Sequence, residues 1–148
     1  MTHPTHTADQ LAAAIRDAAS VITTAARERS TPVLDSSGLP WIEAQCAQLR
    51  DAYLTGHARE CAHIARTTSP TVMYAAAWRP AHLYCAPCAA VAFLDATEDN
   101  TCDRCRRTTD NITTGSVCFG PVVFAFGLCP PCADETGVAN APAKGPRR

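Results

Sequence analysis

Four short ligand pairs constrain this chain more than any other feature: Cys61-Ala-His63, Cys85-Ala-Pro-Cys88, Cys102-Asp-Arg-Cys105 and Cys129-Pro-Pro-Cys132. A Cys-x-x-Cys turn sets two sulfurs on one side of a tight loop, where both reach a single ion at about 2.3 Å, and two such turns complete a tetrahedron. The pairs supply the eight ligands of two four-coordinate sites, so the expectation is two zinc ions per chain. One pair alone is a weak signal, because isolated Cys-x-x-Cys occurs by chance and in redox proteins. Three pairs and a Cys-x-His in one stretch are far more specific.

A weak internal repeat bears on how the pairs combine. Cys61-Ala-His63 is followed by Arg66-Thr-Thr, a strand pattern and Leu83-Tyr-Cys85, while Cys102-Asp-Arg-Cys105 is followed by Arg107-Thr-Thr, a strand pattern and Gly127-Leu-Cys129. Two copies of one small unit produce such a pattern. The repeat favours sequential pairing, with Cys61, His63, Cys85 and Cys88 on one ion and Cys102, Cys105, Cys129 and Cys132 on the other. An interleaved cross-brace has the same ligand count and stays open, as does His57 as a replacement for His63.

Composition agrees with folding around metal. Hydrophobic residues make up 47% of the 148 but aromatics only 6%. An alanine-rich core buries little area at about 25 cal/mol per Å2, whereas a structural zinc contributes on the order of 10 kcal/mol. The net charge of −1 and pI near 6.5 argue against a strongly basic nucleic-acid surface. Lys144 is the lone lysine among 13 basic residues, and with the abundant alanine this is the composition of a high-GC bacterial or phage protein. No signal peptide pattern occupies Met1 to Gln10 and no apolar run is long enough to span a bilayer, so a cytoplasmic chain with reduced thiols and no membrane contact is expected.

Three regions are expected. Residues 1–56 read as a helical segment. Thr7-Ala-Asp-Gln10 has the form of a capping box, Leu11, Ile15, Ala18, Ile22 and Ala25 draw one apolar stripe, and Ser30-Thr-Pro32 ends it. Pro32 to Gly38 is a linker pattern. A second helix starts near Pro40, carries Ile42, Cys46, Leu49 and Tyr53 on one face and stops at Gly56. The two helices are expected to form a hairpin. Residues 57–136 hold the metal pairs, with strands over Thr71 to Trp78 and Val117 to Phe126, the latter bent at Gly120-Pro121, and a helix from Ala89 to Leu94. Residues 137–148 have no apolar period and read as a disordered tail.

The pairs and their spacing resemble zinc-ribbon and treble-clef modules, in which a knuckle, a strand pair and a second knuckle enclose one ion. The resemblance covers about half the chain and implies a small α+β fold, a helical hairpin followed by two such units. In treble clefs the second pair opens a helix, which would put Pro87 and Pro131 in first helical turns. The Cys-x-His pair departs from the usual Cys-x-x-Cys.

Enzyme signatures are missing: His57-Ala-Arg-Glu60 is one residue too long for a zinc deaminase, and metalloprotease, P-loop and Gly-x-Ser-x-Gly motifs do not occur. Four protein ligands per ion also leave no position for a catalytic water. The expected role is non-enzymatic: two structural zincs presenting a surface, with Trp78, Arg79, Phe119 and Phe124 as contributors, to a protein partner or a second copy. Two rivals are a nucleic-acid-binding accessory factor, resting on Arg104, Arg106, Arg107, Lys144, Arg147 and Arg148, and a redox-responsive dithiol protein using Cys85/Cys88 or Cys129/Cys132. Cys46 and Cys118 read as small core residues, and His3, His6 and His82 as surface residues.

Pairing has a direct test. With Cys129 mutated, sequential pairing makes Cys102 and Cys105 newly reactive to a thiol reagent, whereas a cross-brace exposes Cys85 and Cys88.

Overall fold

The computed structural model describes residues 4–29, 33–93 and 100–141. The expected break at Ser30-Thr-Pro32, the helix end at Leu94, the tail beyond 141 and its cations, and His3 and the His6 side chain lie outside the described residues. In chain order the elements are α1 (Pro4–Arg29), α2 (Pro40–Leu54), β1 (Arg59–Glu60), α3 (Ala62–Ala65), β2 (Met73–Ala76), β3 (His82–Leu83), α4 (Ala86–Ala92), β4 (Thr113–Phe119), β5 (Val122–Leu128) and α5 (Pro130–Glu135). A 3-10 turn follows at Val138–Asn140. This is a small mixed α+β fold. Among the described residues no helix is long and apolar enough to cross a membrane.

The centre is a three-stranded sheet of order β2-β5-β4. β4 and β5 form an antiparallel hairpin from Thr113↔Leu128 to Phe119↔Val122. Gly120, at φ 55°, takes the first central position of its two-residue turn, where a positive φ is needed. β2 adds to β5 in parallel, Met73↔Val122 through Ala76↔Ala125, so the two halves of the sequence repeat share one sheet. A second small sheet pairs β1 with β3 in parallel.

The period of two along each strand divides the core. Val117, Val122, Phe124, Phe126 and Leu128 face one side and pack with Ile42, Cys46 and Leu49 of α2. Val123, with Tyr74, Cys118 and Val72 against it, faces the other side and packs with Ala18 and Ile22 of α1. The expected helical hairpin is therefore corrected: α1 and α2 lie on opposite faces of the sheet. Each stripe is narrow and alanine-rich, so it buries more apolar area against a Val/Phe sheet than against the other helix.

Other boundaries move as well. α1 is already helical at Pro4, ahead of the capping box. Its buried line is Ala14, Ala18 and Ile22, whereas Leu11 and Ile15 remain 42% and 40% exposed. Phe124, expected to contribute to a surface, is 3% exposed and belongs to the core. Ordered chain continues past Gly137, where Val138 is buried in the core, although no apolar period marked that segment.

Phe126 is the largest side chain at the centre of the sheet, 1% exposed and edge-on to Trp41 at 6.2 Å. Its register partner is Gly115, and a Cβ there would lie 2.5 Å from Phe126 Cζ. Gly115→Ala is expected to cost about 1–3 kcal/mol in urea unfolding, with much of the loss absent when Phe126 is Leu in both chains compared. Equal losses in the two backgrounds would show that the ring is not the cause.

Candidate metal centres

Each ligand set is built from one loop and one helix start. β5 ends at Leu128, and Cys129 follows as the N-cap of α5 with φ −67° and ψ 158°. Pro130 and Pro131 fill the first turn, where a missing amide hydrogen costs nothing. Cys132 comes next, at the third helical position, and cap and third-position side chains are neighbours, the relation a capping box exploits. The expectation that Pro131 and Pro87 sit in first turns holds, since α4 has the same construction with Cys85 as N-cap.

The opposing loop of this set is a tight turn closed by a bridge between Thr101 and Thr108. Cys102 N–H donates to Arg107 O and Arg106 N–H to Cys102 O, both at 2.9 Å. Arg106 occupies the left-handed region at φ 62°, a conformation unfavourable for a residue with a Cβ. Asp103 docks the turn onto β5: its N–H donates to Gly127 O at 2.9 Å, and Gly127 N–H returns a bond to Asp103 Oδ2 at 2.6 Å. Arg104 reaches α5, donating to Glu135 Oε2 and approaching Cys132 Sγ at 3.6 Å.

The first set repeats this plan with a shorter loop. Cys61 caps α3, its N–H donates to Leu83 O at 3.0 Å, and Cys85 N–H donates to Cys61 Sγ at 3.3 Å. His63 Nδ1 lies 3.3 Å from Cys88 Sγ and 3.7 Å from Cys85 Sγ. His57 is elsewhere, with Nδ1 2.9 Å from Thr55 Oγ1.

All eight expected residues gather into two groups, Cys61/His63/Cys85/Cys88 and Cys102/Cys105/Cys129/Cys132, and within each the ligand atoms lie within 4.8 Å of one another. First pair meets second and third meets fourth, the sequential arrangement. Either group could hold a metal ion.

The thiols within a group differ electrostatically. Burial disfavours the Cys61 thiolate, but the amides of Cys85 and Ile64, helped by the Cys85 and Cys88 thiols, overcome it and lower the pKa to about 6. Cys102 also sits at about 6, where the amides of Cys105, Cys129 and Arg104 outweigh burial. Cys88 is pushed up to about 11, first by its bond to Cys85 and then by desolvation, and Cys132 to about 12, chiefly by burial. One thiolate per group is thus favoured outright, and the high-pKa thiols surrender their protons to a cation, since binding metal requires deprotonated ligands.

The groups also differ in cover. Cys102, Cys129 and Cys132 are buried with Cys105 the most open, whereas Cys61, Cys85 and Cys88 are half-buried and His63 is exposed. Of the remaining thiols, Cys46 is buried on the core face of α2, its pKa pushed up to about 11 by burial and by Glu43, and Cys118 packs beneath α1. Sequence pattern did not single out Asp103. An acidic residue inside a Cys-x-x-Cys turn was the available signal, because its carboxylate can accept a backbone amide where most side chains cannot.

Asp103 is expected to position the second group. Asp103→Ala should weaken metal there by about 10–100-fold in chelator competition and leave the His63 group unchanged; equal losses at both would mean that Asp103 supports the whole fold instead. No family model matches this chain, and no curated protein or solved structure does.

Proposed function

We propose that the protein binds two structural zinc ions in tandem treble-clef-like units, performs no catalysis of its own and presents an interaction surface to a second copy. The observation that carries the metal reading is the closure of both groups. Zn–S and Zn–N bonds of about 2.3 and 2.0–2.1 Å give tetrahedral edges of about 3.8 Å between sulfurs and about 3.6 Å between nitrogen and sulfur. Cys105 Sγ and Cys129 Sγ are 3.7 Å apart, and the His63 Nδ1 contacts at 3.3 and 3.7 Å bracket the mixed edge. A donor set of thiolates with one imidazole suits zinc rather than magnesium or calcium, which take oxygen. Ligands complete at four leave no open position for substrate water.

Loop, strands and ligand-bearing helix follow one another in both units, which supports the treble-clef likeness. With zinc bound, the all-cysteine group would carry two negative charges and the group containing His63 one. Arg104 beside Cys132 offsets part of the larger charge. That contact also turns Arg104 away from a nucleic-acid role, since its guanidinium is committed to Cys132 and Glu135.

The surface we assign lies on α1. Its 26 residues extend about 39 Å at 1.5 Å per residue, whereas the seven-residue strands beneath reach about 23 Å. The helix outruns the sheet, and Leu11 and Ile15, one turn apart, stay largely exposed. Two such ends packed together would cover them.

Native mass spectrometry reads both parts of the proposal. The expected species is a dimer with two zincs per chain, in which only Cys46 and Cys118 are free of metal and, being packed in the core, become reactive to a thiol reagent only on unfolding, and a Leu11→Ser, Ile15→Ser variant should be monomeric with its zinc retained. Absence of zinc, with thiols that oxidise and re-reduce in pairs, would replace the structural reading by a redox one; a monomeric wild type with zinc bound would remove only the α1 interface.

A further inference from the structure

The two ligand groups differ in how far their sulfurs are shut away from water. Cys102, Cys129 and Cys132 are buried, whereas Cys61, Cys85 and Cys88 are all half-buried. Cys85 and Cys88 belong to the start of α4, where Ala86, Pro87, Ala90 and Val91 are exposed. The Sγ atoms of the pair lie within 4.8 Å of one another. His63, whose Nδ1 is 3.3 Å from Cys88 Sγ and 3.7 Å from Cys85 Sγ, is itself exposed. A small polar molecule in water therefore has access to two adjacent sulfurs of this group.

The second group offers no such pair. Cys105 is open, but every sulfur in its group that it could join is buried. A bridge from Cys105 would also have to move the turn that carries it. Reciprocal bonds between Asp103 and Gly127 hold that turn to β5, and Arg104 ties it to Glu135 of α5. Arg104 also lies 3.6 Å from Cys132 Sγ, and a cation there lowers the basicity of a thiolate and with it the nucleophilicity.

We propose that Cys85 and Cys88 are a hydroperoxide-sensitive pair whose oxidation to a disulfide releases zinc from the first group and leaves the second group loaded. The inference rests on the zinc reading above and adds regulation to one of its two sites. Metal binding keeps both sulfurs deprotonated, and the thiolate is the form that attacks a peroxide. One thiolate attacks a peroxide oxygen, the O–O bond breaks, and the leaving oxygen takes a proton to become an alcohol, or water where the oxidant is hydrogen peroxide. The other thiolate attacks the sulfur of the sulfenic acid so formed, the S–O bond breaks, and hydroxide takes a proton to become water. Two thiolates, one hydroperoxide and two protons thus give one disulfide, one alcohol and one water, and the two electrons lost by the pair are gained by the peroxide. Cys61 and His63 remain as ligands, half of what a structural zinc site requires. An accessible disulfide is a reducible one, so a thiol reductant restores the pair.

The test uses the full chain loaded with zinc. After one equivalent of hydrogen peroxide, native mass spectrometry and a chromogenic zinc chelator count the metal, and peptide mapping locates the bridge. The expected product has lost one of its two zincs, carries a Cys85–Cys88 disulfide and regains the metal after dithiothreitol and added zinc. Oxidation at Cys102, Cys105, Cys129 or Cys132 ahead of this pair, loss of both zincs together, or retention of both with the pair still reduced would overturn the proposal. Zinc content before peroxide separates the two readings: a chain without zinc fails the structural reading and this inference with it, whereas a two-zinc chain that peroxide leaves intact fails only this inference.

Discussion

Both ligand groups depend on one backbone bond, made twice. An amide in the first loop donates to the carbonyl two residues before a helix-capping cysteine: Cys61 N–H to Leu83 O, and Asp103 N–H to Gly127 O. Each fastens a loop to the end of a strand, and the strand then delivers its cap cysteine and the third-position cysteine of the following helix to the same place. Packing alone would not hold four thiol-rich side chains there, because sulfurs that lose their protons repel one another unless a cation lies between them. The hydrogen bonds fix the frame, and the electrostatics of the frame call for a positive charge at its centre.

The two copies of the bond are not equally supported. In the second, the Asp103 carboxylate accepts Gly127 N–H in return, and Arg104 bridges from loop to α5. In the first, the donor of that bond is the ligand Cys61 itself, which offers no carboxylate in return, and the group is closed by an exposed histidine. The better-buttressed group is also the better buried and is continuous with Leu128 and Val138 of the main core. Its metal would be integral to the packing of β4, β5 and α5, whereas the other group sits at the edge of the same core, where Cys61 and Cys85 pack against a cluster that includes Ile64 and Leu83.

What could be read from sequence follows from range. Ligand pairs and their order were readable because Cys-x-x-Cys spacing encodes local turn geometry and the repeat spaces the pairs alike. Pro40 and Gly56 bracketed α2, since proline fixes its own φ and glycine permits the positive one; Gly120-Pro121, read as a bend within one strand over Val117 to Phe126, is instead the chain reversal between β4 and β5. The hairpin of helices failed because a stripe shows which face is buried and not what covers it. Ala14, Ala18 and Ile22 could have met α2; the preference for the sheet comes from Val123 and Cys118, about a hundred residues away in sequence. Leu11 and Ile15 extended the stripe on paper, but the sheet ends before it reaches them.

The parallel pairing of β2 with β5 was unreadable for a related reason, and it has the widest consequence. Each unit on its own has only two or three short strands and a few apolar side chains, too little to bury much area. Joined edge to edge, they form one sheet with two usable faces, and alanine-rich helices suffice to cover each because Val117, Phe124 and Phe126 supply the bulk. Gly115 shows how closely that bulk is accommodated, since the Phe126 ring occupies the space a Cβ would need. The two ligand groups each gather one loop and one helix start, and the pairing of β2 with β5 makes the units a single structure.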